Sequence, residues 1–430
     1  MSAEGQALHR FRGFRLLWTG EAISLFGNST SALLLPLVAV TQFGAGPGWM
    51  GVLTAAAWLP WLVIGLPAGA WVDIWNPRRV MLWANLVAGV TSAGVPIAWF
   101  TGVLSLPQLL AVAAINGTCT VFFRAAYQRL LPRLVPAAKL VAANSALQGT
   151  ESASQLAGPS AAGLLAQLFG AAAGVLVDAG SFFASALLLR SIRPRDIAPD
   201  LDPPPPREPL KTRIGTGLRF VAGDRFLRNF TVIGGVSNLG LTGYGTLLVL
   251  FLIDNLGLTV GTVGVLGSAA SVGGVLGAVA ARTMSTGLGD ARALLLIRCL
   301  GGPPALLIPF ATAGWGVCFY VAGSFLVAFF VVAGNVLTGA FRQRYVPSKL
   351  MGRVVTSAQL VNFGTMPVAG LLAGWLGGQI GLRHTMVMMA AVHTAACLAN
   401  LFGPLRGLRS LPGPLEIGRW AGAAAPAHRP

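Results

Sequence analysis

The sequence predicts an all-α membrane protein with twelve transmembrane helices. Of its 430 residues, 54% are hydrophobic and only 10% are charged, and the mean hydropathy is +0.71. A soluble protein of this length carries far more charge on its surface. The apolar residues form long runs, several exceeding the roughly 20 residues that an α-helix needs to cross a bilayer. A soluble globular fold is therefore excluded.

The basic residues predict the orientation of the chain. The formal net charge is +17, which in a soluble protein would suggest a nucleic-acid partner. With the N-terminus inside, however, 29 of the 30 Lys and Arg residues lie at or near the cytoplasmic face, and only Arg383 lies outside. The positive-inside rule accounts for this distribution. We expect a multi-pass protein of the bacterial inner membrane with both termini cytoplasmic and no nucleic-acid partner.

Twelve spans can be placed along the chain, six in each half. The first is too long for a cleaved signal sequence, so we expect it to be retained as a helix. The spans are expected near residues 14–42, 48–72, 80–102, 107–130, 140–168, 172–190, 228–256, 261–282, 292–313, 316–341, 351–379 and 384–404. They predict an N-terminal half (1–190), a cytoplasmic linker (191–227), a C-terminal half (228–404) and a cytoplasmic tail (405–430).

The linker combines a stiff polar stretch with a helical pattern. Residues 200–206 contain two aspartates and four consecutive prolines, which cannot form a helix interior. After them, apolar residues recur at helical spacing among basic residues, at Leu210, Ile214, Leu218 and Val221. This pattern favours a helix lying on the anionic lipids of the inner leaflet. The alternative is an ordinary solvated linker helix.

The two halves repeat one another at a constant offset of 211 residues. Three short motifs of the fifth span and the loop before it recur in and before the eleventh span. Val135-Pro136, Gln148 and Ala162-Gly163 correspond to Val346-Pro347, Gln359 and Ala373-Gly374. Two pseudo-symmetric six-helix halves with a substrate path between them are the architecture that such a repeat predicts.

The loop between the second and third spans resembles that of the major facilitator superfamily. The residues that carry the resemblance are Gly69, Asp73, Arg78 and Arg79. In that family the loop latches the cytoplasmic side shut, with the aspartate facing the positive end of a helix in the other half. Ile74 and Pro77 stand where basic residues are usual. The resemblance therefore implies either a weaker latch or one carried by the two arginines alone.

A longer run resembles the branch of that family containing macrolide-efflux and enterobactin-export proteins. It comprises Tyr127-Gln128, Leu131-Pro132, Leu134–Pro136, Ala143–Ser145, Gln155–Pro159, Val177-Asp178 and Ser181-Phe182. Within it, Gly158, Pro159 and Gly163 resemble a fifth-helix signature of antiporters, with Ala162 where Gly is common. The alternative for these residues is ordinary small-residue packing between helices. The resemblance implies export of a small amphiphilic compound in exchange for protons.

Three acidic residues are expected at membrane depth, namely Glu21, Glu151 and Asp178. A charge there costs on the order of 3 kcal/mol, so each should be neutralised, paired or functional. Glu151 lies roughly 16 Å into the fifth span, near the bilayer midplane, and is the first candidate for a proton carrier. Its structural alternative is a permanently protonated or paired carboxyl group. Arg124 loosely resembles the arginine with which drug antiporters tune a nearby acid, although snorkelling to the inner surface would also explain it.

Glu21 shares a helical face with Asn28, seven residues further on. Related proteins often have an acid at the Asn28 position. The amide of Asn28 can bind substrate but cannot carry a proton, so Asn28 is a substrate-contact candidate and Glu21 a second proton-coupling candidate. The alternative for Glu21 is a carboxylate that reaches inner water. Asp178 lies in the sixth span, which packs outside the cavity in this family, so we expect a structural role beside Ser181. Further substrate contacts are expected from spans that line the cavity in the family, although interhelical bonds would also explain these side chains. They are Asn238, Tyr244 and Asn335.

No residue pattern indicates an enzyme. The four cysteines fall in separate spans, the four histidines form no cluster, and no phosphate-binding glycine loop with its lysine occurs. We expect no cofactor and no metal. The expected partners are a small amphiphilic substrate, protons and membrane lipids, and we expect a monomer. The alternatives are a dedicated exporter of one metabolite such as a siderophore, a lipid flippase, uptake by proton symport, and a non-transporting scaffold or sensor.

Overall fold

In the computed structural model, the described part of the chain is residue 8 and residues 10–72, 74–136, 139–198 and 210–414. Within it the protein is helical throughout, and ten helices are long and apolar enough to cross a membrane. The linker residues 199–209, with their proline run, and residues 415–430 of the tail lie outside the described residues.

The first half contains six spans in seven helices. They are α1 (Arg12–Phe43), α2 (Pro47–Val63), α3 (Gly65–Val72), α4 (Pro77–Phe100), α5 (Leu106–Leu130), α6 (Leu140–Phe169) and α7 (Ala171–Arg190). The second span is interrupted at Ile64, between α2 and α3. The fifth span, α6, contains several polar residues along its first half, including Gln148 and Glu151. Helix α1 packs against α6 and α7, and α4 packs against α5 and α7.

The linker helix and the second half follow. They comprise α8 (Leu210–Gly223), α9 (Arg225–Leu250), α10 (Val260–Leu288), α11 (Asp290–Gly301), α12 (Val317–Tyr345), α13 (Ser348–Ile380) and α14 (Leu382–Leu398). Helix α9 packs against α13 and α14, and α10 packs against α12. The linker helix α8 lies on α9 and α13, and buries Phe220 and Val221 there.

The ninth span differs from the continuous helix that the sequence predicts. Helix α11 ends at Gly301, and a 3-10 helix continues from Pro303 to Phe310. The change occurs where two consecutive prolines remove two backbone donors. Two carbonyl groups beside the break are bonded by the twelfth span: the hydroxyl of Thr394 donates to Gly302 O at 2.9 Å, and His393 Nε2 lies 3.3 Å from Gly301 O. Neighbouring helices commonly bond backbone groups at such irregular places at membrane depth.

The two halves meet closely at the end of the bundle opposite the linker. There α2 packs against α13, and α6 packs against α10. A Cβ on Gly51 would lie only 2.9 Å from Gly374 Cα, and a Cβ on Gly163 would overlap Gly264 Cα. These backbones are therefore in direct contact and exclude any side chain. We call these two contacts the glycine seal.

Candidate functional site

A cavity of about 1230 Å³ lies between the two halves. Its lining extends from Gly69 and Arg353, at the linker end of the bundle, to Leu33 and Met50 near the opposite end. Helices α1, α2, α3, α5 and α6 supply its lining from the first half, and α9 and α13 from the second. Because the glycine seal closes the opposite end, the cavity is accessible from the linker end.

An aromatic cluster joins the two halves at one side of the cavity. The ring of Phe363 on α13 lies between two indoles of α2, with its centroid 5.6 Å from that of Trp58 and 4.9 Å from that of Trp61. All three side chains line the cavity. They form a large apolar surface, and the indole rings also carry an N–H donor, a combination that suits an amphiphilic molecule.

Another part of the wall carries an ion pair between α5 and α6, two helices that scarcely pack against each other. Arg124 on α5 donates through Nη2 to Glu151 Oε1 on α6, and both residues line the cavity. The second carboxylate oxygen of Glu151 lies 3.4 Å from Gln148 Nε2. The side chain of Glu151 is 20% exposed and that of Arg124 is 44% exposed. The first proton-carrier candidate is thus paired and in contact with the cavity in this conformation.

Glu21 lies behind this ion pair, on α1. It interacts electrostatically with both Arg124 and Glu151. Its Oε2 atom is buried and has no hydrogen-bond partner among the described residues. The structure therefore brings together all three residues that the sequence indicates for proton coupling. The group contains two carboxyl groups and one guanidinium group. We call Glu21, Arg124 and Glu151 the charged cluster.

The substrate-contact candidates are distributed differently. Asn28 lines the cavity. Asn238 donates to Asn362 Oδ1 at 3.2 Å, between α9 and α13, and Tyr244 is 8% exposed within the hydrophobic core. Asn335 lies on an exposed face of α12. Of these four residues, only Asn28 belongs to the described lining.

The cavity also has lining residues that the sequence analysis did not identify. These are above all Trp58, Trp61 and Phe363, together with Asn116 and Gln155. The two tryptophans are three residues apart and therefore share one face of α2, which is the single signal that could have indicated them. Nothing in the sequence shows that Phe363 faces that pair from the other half.

The antiporter-type signature forms a contact surface of α6. A Cβ on Gly158 would lie 2.9 Å from the carbonyl carbon of Ser29 on α1. Gly163 contributes to the glycine seal, and a Cβ on its partner Gly264 would also lie 3.1 Å from Pro159 O. The three signature residues therefore hold α6 against α1 on one side and against α10 on the other.

The loop predicted to form the latch is described in part. Asp73 lies outside the described residues. Arg78 donates to the last carbonyl groups of α7, at 2.9 Å to Leu189 O and 2.6 Å to Arg190 O. Such contacts cap the negative end of a helix. In this conformation Arg78 therefore fixes the start of α4 to α7 within the first half. The backbone N–H of Arg79 donates to the side chain of Asn76, which caps α4.

Within the part of the chain that the structure describes, no group of three or more His, Cys, Asp or Glu residues is placed to hold a metal ion. The polar lining of the cavity consists of Arg124 and Glu151 of the charged cluster, of Arg129 and Arg353, and of amide and hydroxyl side chains.

Comparisons with known proteins agree with this architecture. Residues 17–366 match the family model described as Major Facilitator Superfamily. The multidrug efflux pump Tap of Mycolicibacterium fortuitum is 27% identical over 391 residues, which are 83% of this chain and 92% of that protein. Macrolide efflux protein A of Streptococcus pyogenes is 26% identical over 195 residues, which are 44% of this chain and 47% of that protein. The inward-facing crystal structure of a bacterial homologue of the iron transporter ferroportin shares the fold, with a TM-score of 0.65 at 17% identity, covering 90% of this chain and 98% of that one.

Proposed function

Because the chain belongs to the Major Facilitator Superfamily, we propose that it exports a small amphiphilic compound across the bacterial inner membrane in exchange for protons. It is a membrane transporter rather than an enzyme. A drug or a macrolide-like antibiotic is the proposed substrate class, which the printed names of Tap and macrolide efflux protein A support. The observation that carries the proposal is the charged cluster in the wall of the cavity between the two halves.

The proposed transport cycle is alternating access. In the proposal the linker end is cytoplasmic and both termini are inside, as the distribution of basic residues favours. This conformation then opens inward, and the glycine seal closes the outer end. Opening of the seal and closure of the linker end would expose the same cavity to the outside.

The cavity suits a bulky amphiphilic substrate. Ligand pockets for drug-sized molecules span about 300–1,000 Å³, and this cavity is larger, at about 1230 Å³. Trp61 and Phe363 offer an apolar surface, while Asn28 and Gln155 offer hydrogen bonds. Few fixed charges line the wall, so the site would select for shape and hydrophobicity more than for one particular functional group.

The charged cluster supports proton coupling through its charge balance. Two carboxylates and one guanidinium would leave a net negative charge in the membrane interior, which is costly. One bound proton neutralises the cluster. Glu151 is paired with Arg124, whereas Glu21 has a buried oxygen without a partner, so Glu21 holds the proton in the inward-facing conformation. A proton that moved to Glu151 would release Arg124 toward Glu21. The position of the proton would therefore decide which carboxylate Arg124 engages.

Proton release from the purified protein on addition of substrate tests this proposal. A panel of hydrophobic drugs, macrolides and siderophores is added to the protein in weakly buffered detergent solution, and the pH change is recorded. We expect an active compound to release protons from the wild type, and Glu151→Gln or Glu21→Gln to abolish the release while binding persists. Asp254→Asn is the matched control, because it removes an exposed acid that is not part of the cavity lining and should leave release unchanged.

Two outcomes would contradict the proposal. Compounds that bind without proton release in any variant would remove proton antiport through these carboxylates and favour a facilitator. An absence of binding across the panel would favour the scaffold or sensor alternative. A response to siderophores alone would keep coupling but replace the drug class by a dedicated metabolite exporter.

A further inference from the structure

Asp178 is a buried acid that the proposed transport cycle does not use. It lies on α7, away from the charged cluster, and its residue is 0% exposed. Helix α7 packs against α1, α4 and α6. The carboxyl group faces Ser31 of α1 and Ser92 of α4, at a depth where an ionised group needs a cation or several donors.

A chain of hydrogen bonds orients this carboxyl group. The hydroxyl of Ser92 on α4 donates to Asp178 Oδ2 at 3.2 Å. Asn116 on α5 donates from Nδ2 to Ser92 Oγ at 2.9 Å, and Thr91 donates to Asn116 Oδ1 at 3.0 Å. Since Asn116 supplies the hydrogen that Ser92 accepts, the hydroxyl hydrogen of Ser92 is free to point at Oδ2. Asp178 Oδ2 is therefore an acceptor.

The other carboxyl oxygen has a different environment. Asp178 Oδ1 is buried without a hydrogen-bond partner of good geometry among the described residues, and the same holds for Ser31 Oγ on α1. The Ser31 hydroxyl faces the Asp178 carboxyl group. Ser31 is also a lining residue of the cavity between the halves, although its Oγ atom is buried in this conformation. A side chain whose hydroxyl faces the Asp178 carboxyl group thus borders the cavity, and a small movement of it would bring the hydroxyl to the cavity.

No cation from the packed helices neutralises this site within the described residues. The nearest charged residue on α1 is an acid, Glu21, ten residues from Ser31 or about 15 Å along the helix. The nearest on α4 is Arg79, thirteen residues from Ser92 or about 20 Å. On α6, Leu165 packs beside Gly174 of α7, and the charged residue nearest to Leu165 is Glu151, fourteen residues or about 21 Å away. An ionised carboxylate without a nearby cation is strongly disfavoured in such surroundings.

We propose that Asp178 is a second proton-binding site, separate from the charged cluster, and that it exchanges its proton with the cavity through the hydroxyl of Ser31. The proton resides on Oδ1, because Oδ2 accepts from Ser92. In the exchange, Oδ1 gives its proton to Ser31 Oγ while the Ser31 hydroxyl gives its own proton to water in the cavity, leaving the Asp178 carboxylate and a hydronium ion. The proposal does not depend on whether transport is coupled to protons.

A metal cation fits this site less well than a proton. Asp178, Ser31 and Ser92 together offer four oxygen atoms, and hard cations bound by oxygen usually take six or more ligands. A proton needs one acceptor, which Oδ1 provides. Sodium binding is nevertheless an outcome that the experiment distinguishes.

Infrared spectroscopy of the full-length protein in lipid nanodiscs tests the protonation state. The protonated carboxyl group gives a C=O band that an ionised carboxylate lacks. With aspartate carrying a ¹³C side-chain carboxyl label, we expect an isotope-shifted band at neutral pH that persists in Glu21→Gln and Glu151→Gln, and is absent in Asp178→Asn. Asp254→Asn is the control and should retain the band. If Asp178→Asn does not fold, Asp178→Glu moves the site out of the labelled residue type, and the band should then lose its isotope shift.

Exchange of the proton for deuterium tests the route. After transfer into D₂O, we expect the band to exchange about tenfold more slowly in Ser31→Ala than in the wild type, as expected for loss of one strong hydrogen bond. Ser31→Thr keeps a hydroxyl group and should exchange at nearly the wild-type rate. Three results would overturn the proposal. The first is the absence of an Asp178-dependent C=O band between about pH 5 and about pH 9. The second is the disappearance of that band on addition of sodium chloride, and the third is a rate of deuterium exchange that Ser31→Ala leaves unchanged.

Discussion

Adding a single methyl group at the glycine seal should shift the protein toward the conformation that is open at the end opposite the linker. In Gly163→Ala the new Cβ would overlap Gly264 Cα, and it would lie 3.0 Å from Gly264 N and 3.2 Å from Gly264 C. All three are backbone atoms of α10 that cannot rotate away. The two helices must therefore separate by about 1 Å, and overpacking of this kind costs about 1–3 kcal/mol.

That cost falls on the sealed conformation alone, because the proposed cycle separates α6 from α10 when the seal opens. A bias of about 1–3 kcal/mol changes the ratio of the two conformations by about 5- to 150-fold. Gly163→Ala also raises the helix propensity of α6, by roughly 1 kcal/mol. Gly149→Ala provides the matched control on the same helix, since a Cβ there has no heavy atom within 4 Å.

Electron–electron double resonance measures the shift directly. Spin labels are placed on cysteines introduced at Gly46 and Leu258, one in each half at the sealed end, after replacement of the native cysteines. We expect one short distance in the wild type and in Gly149→Ala, and an added longer population in Gly163→Ala. Gly264→Ala should produce the same change from the other side of the contact. Identical distance distributions in all four proteins would refute the account of the seal.

Three further predictions concern stability and binding. The carboxylate of Asp196 accepts a hydrogen bond from the backbone N–H of Arg193 and forms an ion pair with Arg12, and these contacts hold the pKa of the carboxyl group below its usual value. The contribution of Asp196 to the stability of the folded protein is therefore present above about pH 4 and is lost as the pH falls through the lowered pKa. Asp196→Asn should lower the melting temperature at neutral pH and converge with the wild type in acid, and a difference that grows in acid would contradict this sign. Trp61→Ala should weaken binding of a transported drug by about 2- to 13-fold, from the loss of about 0.5–1.5 kcal/mol of aromatic contact. Trp83→Ala removes an exposed indole on α4 and should leave the affinity unchanged. Equal losses of affinity in both variants would argue against a role of the aromatic cluster in binding. Thr394→Val removes one of the two donors to Gly302 O, which also accepts the backbone N–H of Ala305 at 3.0 Å. It should cost about 0.5–1.5 kcal/mol, seen as a lower melting temperature. Thr385→Val, whose hydroxyl bonds to Gly381 O at the start of its own helix and joins no second span, should cost less.

The spans could be predicted from the sequence because each depends on local apolar length. The observed helices follow the expected runs, with boundaries that differ by a few residues. The ninth span was predicted as one helix, yet α11 stops at Gly301. The prolines at 303 and 304 were visible in the sequence. The break also involves His393 and Thr394, which lie about ninety residues away and bond the carbonyl groups of Gly301 and Gly302 beside it.

The charged cluster could be predicted in part, because the position of an acid within an apolar run is also a local property of the sequence. Rarity of acids at membrane depth singles out Glu21 and Glu151, but their shared relation to Arg124 depends on how α1, α5 and α6 pack. The cavity wall was harder to predict. Asn238 and Tyr244 are polar residues in an expected cavity-lining span, yet helix rotation turns both toward other helices. Periodicity of an almost wholly apolar chain does not fix that rotation.

The glycine seal and the linker end of the bundle should differ in their response to ionic strength. The seal consists of backbone atoms in van der Waals contact, without a charge or a side-chain hydrogen bond at its glycines. At the linker end, arginines such as Arg78 and Arg353 lie near solvent, where dissolved ions screen their interactions over a Debye length of about 8 Å. Added salt should therefore change the rate at which the linker end opens and closes, while leaving that of the sealed end nearly constant.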